Sequence, residues 1–233
     1  MKSTSSAIHP GAKEHYINAA SYEARYAARS EDVDYYLKAV HAGARVLEYG
    51  AGAGRLTLKL AEKGVHVCAV DASEPMIELL KIRRSALSRE RRQLITPRRA
   101  DMRSYRSAER YDFVIAAFHT LGHLYSTSDI ESFLGNAITH LVTGGKILFD
   151  LPLPRIDMPE YDALAGVRVT EMDGPAGPEL LTQRWYQPAE VSMHLHYAGF
   201  RKIRLTSDFT SSAIDGETSV YVVSGTKPNA HST

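Results

Sequence analysis

The chain has 233 residues, of which 44% are hydrophobic, and 28 basic side chains stand against 27 acidic ones. This length and apolar content suffice for one sizeable core, so we expect a single domain over residues 1–233. The net charge of +1 provides no field that would draw the protein to nucleic acid or to a membrane. A small uncharged or mixed-charge partner is favoured instead.

The N-terminal sequence and the cysteine usage bear on the cellular compartment. Residues 1–12 lack the apolar core of a secretory signal, and no stretch approaches the roughly 18 apolar residues of a membrane span. Cys68 is the one cysteine, so an intramolecular disulfide cannot form, and its position in an apolar run indicates a core residue. The sequence therefore predicts a cytoplasmic protein without a membrane partner.

Strand and helix patterns alternate through most of the chain. The apolar runs predict strands at 45–48, 65–71, 94–98, 111–117 and 146–151. Helices are predicted to start near Arg55, Ser73 and Ser128, and Ser73 is a suitable N-cap ahead of a proline. Because strands that alternate with helices form a parallel sheet covered on both faces, we expect a doubly wound α/β fold.

The C-terminal part departs from this alternation. A helix is predicted over 188–198, closed by Gly199, and extended runs follow at 200–208 and 218–226. Since the turn-rich segment 211–216 separates the two runs, we expect them to pair antiparallel.

The segment 45–55, with the sequence RVLEYGAGAGR, is the most informative part of the chain. An apolar run is followed by Gly50, Gly52 and Gly54 and then by a helical pattern, which predicts strand, loop and helix. Glycine lets the backbone approach a ligand where a Cβ would collide. The dinucleotide fingerprint G-x-G-x-x-G is not matched, because Arg55 stands where its last small residue belongs.

Two carboxylates flank this loop. Glu48, at the end of the first predicted strand, would repel a phosphate but suits a cation, such as a ligand with a sulfonium and an ammonium group. Asp71, at the end of the second, could accept hydrogen bonds from both hydroxyls of a ribose. Together they indicate a nucleoside-type ligand that carries positive charge.

With these motifs the sequence resembles the class I S-adenosylmethionine-dependent methyltransferases, especially small bacterial members that act on metabolites. The resemblance extends over residues 16–227 and rests on four segments, which are EYGAGAG at 48–54, VDASEPM at 70–76, ADM at 100–102 and YDFVIAAF at 111–118. It implies a Rossmann-like methyltransferase fold, whose mostly parallel seven-stranded sheet has a reversed edge strand. It also implies S-adenosyl-L-methionine as cofactor and methyl transfer to an oxygen or nitrogen of a small molecule.

The resemblance assigns cofactor contacts to the glycine loop and to the strand ends. The residues assigned to the methionine part, the ribose, the adenine and the sulfonium end are Glu48, Gly50, Ala51, Gly52, Asp71, Ala72, Met76, Asp101, Met102 and Phe118. Asp101 would accept a hydrogen bond from the adenine amino group, and Met102 would contact the ring. Two roles are open for Arg55, which could reach the methionine carboxylate or pair with an acid of the N-terminal segment.

Two segments lie outside the predicted sheet. Residues 12–40 form a tyrosine-rich helical cover over the pocket, in which Tyr22 or Tyr26 could contact ligand or simply pack. Residues 152–187 contain two extended runs and turn signals and are interpreted as an inserted hairpin. Because the insert follows the fifth strand, where ligands bind in such sheets, Trp185 and Tyr186 could contact substrate or form a dimer interface. A monomer or a homodimer is expected.

A catalytic base is needed only when the acceptor must lose a proton, as an alcohol, a phenol or a protonated amine must. The loop after the fourth strand, where family members bring the acceptor to the methyl group, contains His119 and His123. Histidine titrates near neutrality, which suits general base work. His119 is the first candidate because it lies nearer the strand end, and His123 is the second. Alternatively, both histidines only orient the loop or cap the next helix.

Three further possibilities bear on the function. His194 and His196 face different sides of a predicted helix and lack partner ligands, so no required metal is predicted. The segment 81–110 is rich in Lys and Arg, so an RNA or other nucleic-acid methyltransferase is an alternative. The motifs of adenine-amino and cytosine-C5 methylation are missing, which weighs against it. The third possibility is a protein that binds S-adenosylmethionine without catalysis.

Overall fold

The computed structural model describes residues 16–155, 161–162, 166–174 and 177–229. Residues 12–15 of the predicted cover, and 156–160, 163–165 and 175–176 of the predicted insert, lie outside this part of the chain. The helices are α1 (Ala19–Tyr26), α2 (Glu31–Ala39), α3 (Arg55–Glu62), α4 (Glu74–Ser85), α5 (Arg89–Gln93), α6 (Thr127–His140) and α7 (Pro188–Tyr197). The strands are β1 (Arg45–Tyr49), β2 (His66–Asp71), β3 (Ile95–Arg99), β4 (Tyr111–Ala116), β5 (Leu141–Pro152), β6 (Tyr161–Asp162), β7 (Val167–Gly174), β8 (Gly177–Arg184), β9 (Arg201–Ser207) and β10 (Val220–Thr226).

The central sheet has seven strands in the order β3-β2-β1-β4-β5-β10-β9. The pairs from β3 to β5 are parallel, whereas β10 runs antiparallel to both β5 and β9. The chain turns back from β3 to the other side of β1, so β1 and β4 flank the switch point where open α/β sheets bind ligands. The predicted doubly wound fold with a reversed edge strand is confirmed.

Both faces of the sheet are buried, as its apolar strands predict. Alternate residues of one strand enter opposite clusters, so that Leu47 packs with Phe133 and Phe149 on one face, while Val46 packs with Leu60 on the other. Cys68 is buried among the first group, in agreement with the core assignment.

Most predicted boundaries hold within a few residues, and one larger difference has a clear cause. Strand β5 begins at Leu141 rather than at 146, because Gly144 and Gly145 do not end it. The amide of Gly144 donates to the carbonyl of Lys227 at 3.0 Å, and the amide of Lys227 donates to Gly145 at 2.9 Å. Glycine pairs usually indicate a turn, but here the C-terminal segment supplies hydrogen-bond partners that local sequence does not reveal.

The cover and the inserted hairpin of the predicted fold are both present. Helix α2 packs on α3 and buries Tyr36 completely. Strands β7 and β8 pair antiparallel from Val167 with Arg184 to Gly174 with Gly177, and β6 joins them as a third strand. Among the described helices, none has the length and apolar character needed to cross a membrane.

Candidate active site

One cavity of 1280 Å³ opens at the carboxyl ends of the strands around the switch point. The predicted site residues that line it are Tyr22, Glu48, Gly50, Ala51, Gly52, Arg55, Asp71, Ala72, Met76, Asp101, Met102, Phe118 and His123. Tyr26, His119, Trp185 and Tyr186 are not among its lining residues. The structure thus brings every residue predicted to bind the cofactor to one cavity, but it separates the predicted substrate and catalytic residues.

The glycine loop is tied to the end of β2 by Asp71. The Asp71 carboxylate accepts from the amide of Gly52 at 2.8 Å and from that of Ser73 at 2.7 Å, while the Ala51 amide donates to Val70. Burial raises the pKa of Asp71, and these backbone donors oppose the rise. Asp71 therefore positions the loop as well as facing the cavity.

Two glycines of the loop differ in how much space a side chain would find. Gly50 and Gly52 both have positive φ, at 66° and 54°. A Cβ on Gly50 would overlap the side chain of Thr120, whereas the nearest atom to a Cβ on Gly52 is the sulfur of Met76 at 3.9 Å. Thr120 cannot move freely, because its hydroxyl donates to the Ala117 carbonyl at 2.7 Å.

We expect Gly50→Ala to be clearly more damaging than Gly52→Ala. Both variants incur the strain of a left-handed residue, about 1 to 2 kcal/mol, but only Gly50→Ala also displaces Thr120. Urea unfolding of the two variants, measured side by side, checks the difference. Equal losses of unfolding free energy would contradict the predicted overlap.

Glu48 is almost completely buried, with 2% of its surface exposed, at the floor of the cavity. The Thr57 hydroxyl donates to Glu48 Oε2 at 2.6 Å. Burial raises the pKa of Glu48 to about 7, against the opposing effects of Thr57 and Arg55. The carboxyl group therefore changes its charge near neutral pH, and a cation bound beside it would favour the ionised form.

This titration predicts a pH dependence of ligand affinity. S-adenosylhomocysteine carries an ammonium group, so its affinity should rise as the pH increases through about 7, by at most about tenfold per unit. Without ligand, the free energy of unfolding should decrease as the pH rises from about 4.5 to about 7. The reason is that the pKa of the Glu48 carboxyl is higher in the folded chain than in the unfolded chain. Calorimetric titration and urea unfolding across this range measure both slopes, and Glu48→Gln should remove the contribution of Glu48 to each, so that the slopes of the variant and of the unmodified protein differ. Slopes that are the same in Glu48→Gln as in the unmodified protein would assign them to other groups.

The two alternatives for Arg55 are distinguished by its partners. Its guanidinium makes two hydrogen bonds to the buried Asp32 of α2, at 2.9 and 2.5 Å, and a third to the carbonyl of Arg29. Arg55 thus pairs with an acid of the N-terminal cover and still lines the cavity. The Phe118 ring has the guanidinium carbons of Arg29 and Arg55 each 4.8 Å from its centroid. These contacts attach the cover to the loop after β4.

Arg103, to which the sequence analysis assigned no role in the site, lies beside Asp101. Arg103 makes hydrogen bonds to both carboxylate oxygens of Asp101, and its other nitrogen reaches Asp129 at 2.6 Å. The pKa of Asp101 is lowered by this pairing. Asn136 donates to the Met102 carbonyl at 2.9 Å and holds the same loop from below. The pairing thus favours the ionised form of Asp101, and its contact with an adenine amino group stays a prediction.

The two histidines occupy different environments. His119 lies behind the cavity, where its Nε2 is buried without a hydrogen-bond partner and 3.6 Å from Asp150. Burial lowers the pKa of His119. His123 lines the cavity, and its Nε2 lies 2.6 Å from the hydroxyl of Tyr16. Of the two histidines, His123 lines the cavity and His119 does not. Which of them acts as a base stays a prediction.

Three aromatic candidates also lie away from the cavity. Tyr186 is fully buried, and its hydroxyl donates to the Leu124 carbonyl, while Trp185 packs against Arg168. Tyr26 packs edge-on against Phe118, with the centroids 4.9 Å apart. Tyr26 and Tyr186 thus contact Phe118 and Leu124, which line the cavity. Tyr16, Thr120 and Tyr125 line it instead, and no periodicity in the sequence would have identified them.

The residues around the cavity fit S-adenosylmethionine on chemical grounds. Gly52 leaves open space, the buried Glu48 suits a cation, and Asp71 and Asp101 offer acceptor oxygens for a ribose and an adenine. Over the described ranges, no group of three His, Cys, Asp or Glu side chains could hold a metal ion. The absence of a metal requirement stays a prediction.

Comparisons with known proteins agree with this fold. A model of the methyltransferase domain family matches residues 20–204. The CcbJ methyltransferase from Streptomyces caelestis has a TM-score of 0.74 at 22% identity, over 86% of this chain and 90% of that chain. The glycopeptide N-methyltransferase MtfA in complex with S-adenosylmethionine has a TM-score of 0.68 at 22% identity, over 85% and 93%.

Curated relatives carry the same description. An uncharacterised methyltransferase of Mycobacterium tuberculosis is 47% identical over 57 residues, which are 24% of this chain and 21% of that relative. The match thus spans about a fifth of the relative's length. A putative methyltransferase of a Geobacillus strain is 24% identical over 200 residues, 72% of this chain and 78% of that protein. The chain belongs to the methyltransferase domain family, with the fold of class I S-adenosylmethionine-dependent methyltransferases.

Proposed function

We propose that this protein transfers the methyl group of S-adenosylmethionine to a nitrogen or oxygen of a small molecule. The observation that carries the proposal is the meeting of Glu48, Asp71 and the glycine loop in one cavity at the switch point of the sheet. A buried carboxyl beside glycine backbone suits the cationic methionine part, and the carboxylate at the end of β2 suits the ribose.

The chain's own contribution to the reaction is mainly positioning. The cofactor supplies an electrophilic methyl group on a sulfonium. Glu48 and Asp71 would hold its two ends, Asp101 and Met102 would bind the adenine, and Phe118 would border the reacting centre. Holding a donor and an acceptor about 3 to 3.5 Å apart provides much of the rate enhancement of such a displacement. Tyr16 and Tyr22 of the cover line the cavity on one side.

Acceptor chemistry is suggested by the size and lining of the cavity and by one neighbour. A volume of 1280 Å³ exceeds what many small-ligand sites need, which leaves room for an acceptor beside the cofactor. MtfA is a glycopeptide N-methyltransferase. Together with the aromatic wall and the balanced net charge, this favours an uncharged or mixed-charge acceptor with an amine or hydroxyl.

The nucleic-acid alternative loses support because many of the arginines in 81–110 are engaged within the protein. Partners within the chain are present for Arg83, Arg84, Arg99, Arg103, Arg106 and Arg110. Arg83, for example, donates to the Ala53 carbonyl at 3.0 Å and pairs with Glu23 of the cover. Basic side chains that already hold loops and helices together are poorly placed to bind a row of phosphates.

The proposal is tested by two measurements on the full chain. Calorimetric titration with S-adenosylhomocysteine should show binding, and incubation with S-adenosylmethionine and a panel of amines, phenols and alcohols should form S-adenosylhomocysteine. Binding without turnover across the panel would favour a non-catalytic binding protein, and salt-sensitive RNA binding with RNA methylation would favour the nucleic-acid alternative. We also propose that residues 1–233 form one domain and that the protein is a monomer or a homodimer. Light scattering of the full chain measures its mass in solution and so tests the assembly.

A further inference from the structure

A continuous chain of hydrogen-bonding groups runs from the cavity into the inserted hairpin. Tyr16 Oη lies 2.6 Å from His123 Nε2, and His123 Nδ1 lies 3.4 Å from Tyr125 Oη. Tyr125 Oη then donates to the carbonyl oxygen of Thr182 at 2.7 Å. Tyr16, His123 and Tyr125 line the cavity, whereas Thr182 lies in β8 and is fully buried. The chain therefore joins the cover, the loop after β4 and the insert.

The direction of these bonds follows from counting protons. A phenol has a single proton to donate, and Tyr125 directs its proton to Thr182, so its oxygen can only accept from His123. The proton of the neutral imidazole must then be on Nδ1, since the bond made by one ring nitrogen sets the tautomer. The lone pair of Nε2 is consequently left for the hydroxyl of Tyr16.

We propose, on the basis of the proposed methyl transfer, that Tyr16 and His123 are the catalytic pair that removes a proton from the acceptor and that Tyr125 is the positioning residue of this pair. The acceptor N–H or O–H passes its proton to Tyr16 Oη, while the proton of Tyr16 passes to His123 Nε2. The new C–N or C–O bond forms at the methyl carbon as the C–S bond breaks with its electron pair on sulfur. The imidazolium then releases its proton to water.

Two further observations support the pair. Burial raises the pKa of Tyr16 well above its usual value, so a free phenolate is avoided and both proton transfers occur together. His119, the other histidine of this loop, does not line the cavity. The pair also defines the acceptor class, because an amine, a phenol or an alcohol needs proton removal and a carboxylate does not.

The tautomer is measured without knowledge of the acceptor. Long-range ¹H–¹⁵N spectra of histidine-labelled protein, free and with S-adenosylhomocysteine, identify the protonated ring nitrogen, and a His123→Gln sample assigns the signal. We expect protonated Nδ1 in the unmodified protein, and a new population with protonated Nε2 in Tyr125→Phe. Tyr197→Phe is the matched control, because Tyr197 is 82% exposed on α7. Protonated Nε2 in the unmodified protein, or an unchanged tautomer in Tyr125→Phe, would overturn the inference.

Turnover tests the proton transfer itself. With an acceptor from the panel, Tyr16→Phe and His123→Gln should each lower kcat by about a hundredfold or more, change KM much less, and have no additive effect in the double variant. Near-normal kcat in Tyr16→Phe would remove Tyr16 from the pair. The tautomer is measured without turnover, so a proton on Nε2 of His123 would overturn this inference even if methyl transfer is observed. Absence of turnover with every acceptor of the panel would contradict the proposed methyl transfer and would leave the tautomer result unaffected.

Discussion

Replacing Asp150 with alanine should cause a large loss of stability, about 3 to 5 kcal/mol of unfolding free energy. Asp150 is fully buried at the end of β5 and accepts from the Tyr36 hydroxyl at 2.6 Å. It also accepts from the amides of Phe118 at 2.8 Å and His119 at 3.0 Å. Its loss would leave the buried Tyr36 hydroxyl and the part-buried amides of Phe118 and His119 without this acceptor.

The backbone conformation of Phe118 and His119 should increase this loss of stability. Phe118 and His119 both have positive φ, at 59° and 58°, which non-glycine residues rarely adopt. Such strain persists only where surrounding contacts hold it. Asp150 supplies those contacts, and since Phe118 lines the cavity, ligand affinity should fall together with stability.

Urea unfolding followed by circular dichroism measures the loss. Asp150→Asn keeps one acceptor oxygen and should be intermediate. Glu62→Ala, which removes an exposed ion pair with Lys59, should cost less than about 1 kcal/mol. A value for Asp150→Ala within about 1 kcal/mol of the unmodified protein would show that this carboxylate does not hold the turn.

Replacing Asp71 with alanine should weaken S-adenosylhomocysteine binding by about 1 to 3 kcal/mol, or roughly 5-fold to 150-fold in the dissociation constant. The variant removes the proposed ribose acceptor and also frees the amides of Gly52 and Ser73 that Asp71 now holds. Both changes act on the ligand-binding loop.

Calorimetric titration measures this effect, with thermal unfolding to show that the variant is folded. Glu78→Ala is a suitable control, because Glu78 lies on the following helix α4 in an exposed pair with Lys81. We expect its affinity to match that of the unmodified protein. An unaltered dissociation constant in Asp71→Ala would place the ribose elsewhere.

Much of the fold and of the cofactor side of the cavity could be predicted from local patterns. Apolar runs with helical segments between them determine a parallel sheet, because each strand must be buried on both faces. The glycine loop and the carboxylates that end β1 and β2 reach the same edge of the sheet in any such arrangement. Glu48 and Asp71 therefore lie at one cavity, as their positions near the strand ends predicted, and Asp101 lies there as the resemblance implied.

The acceptor side was decided by tertiary structure alone. Sequence order favoured His119 over His123, but the left-handed turn at Phe118 and His119, held by Asp150, leaves His119 behind the cavity. The partner of Arg55, the position of Tyr16 against His123 and the role of Thr182 likewise join segments far apart in the chain. Periodicity specifies which face of a strand or helix is buried, whereas side-chain direction in an irregular loop depends on contacts formed only after the distant segments pack.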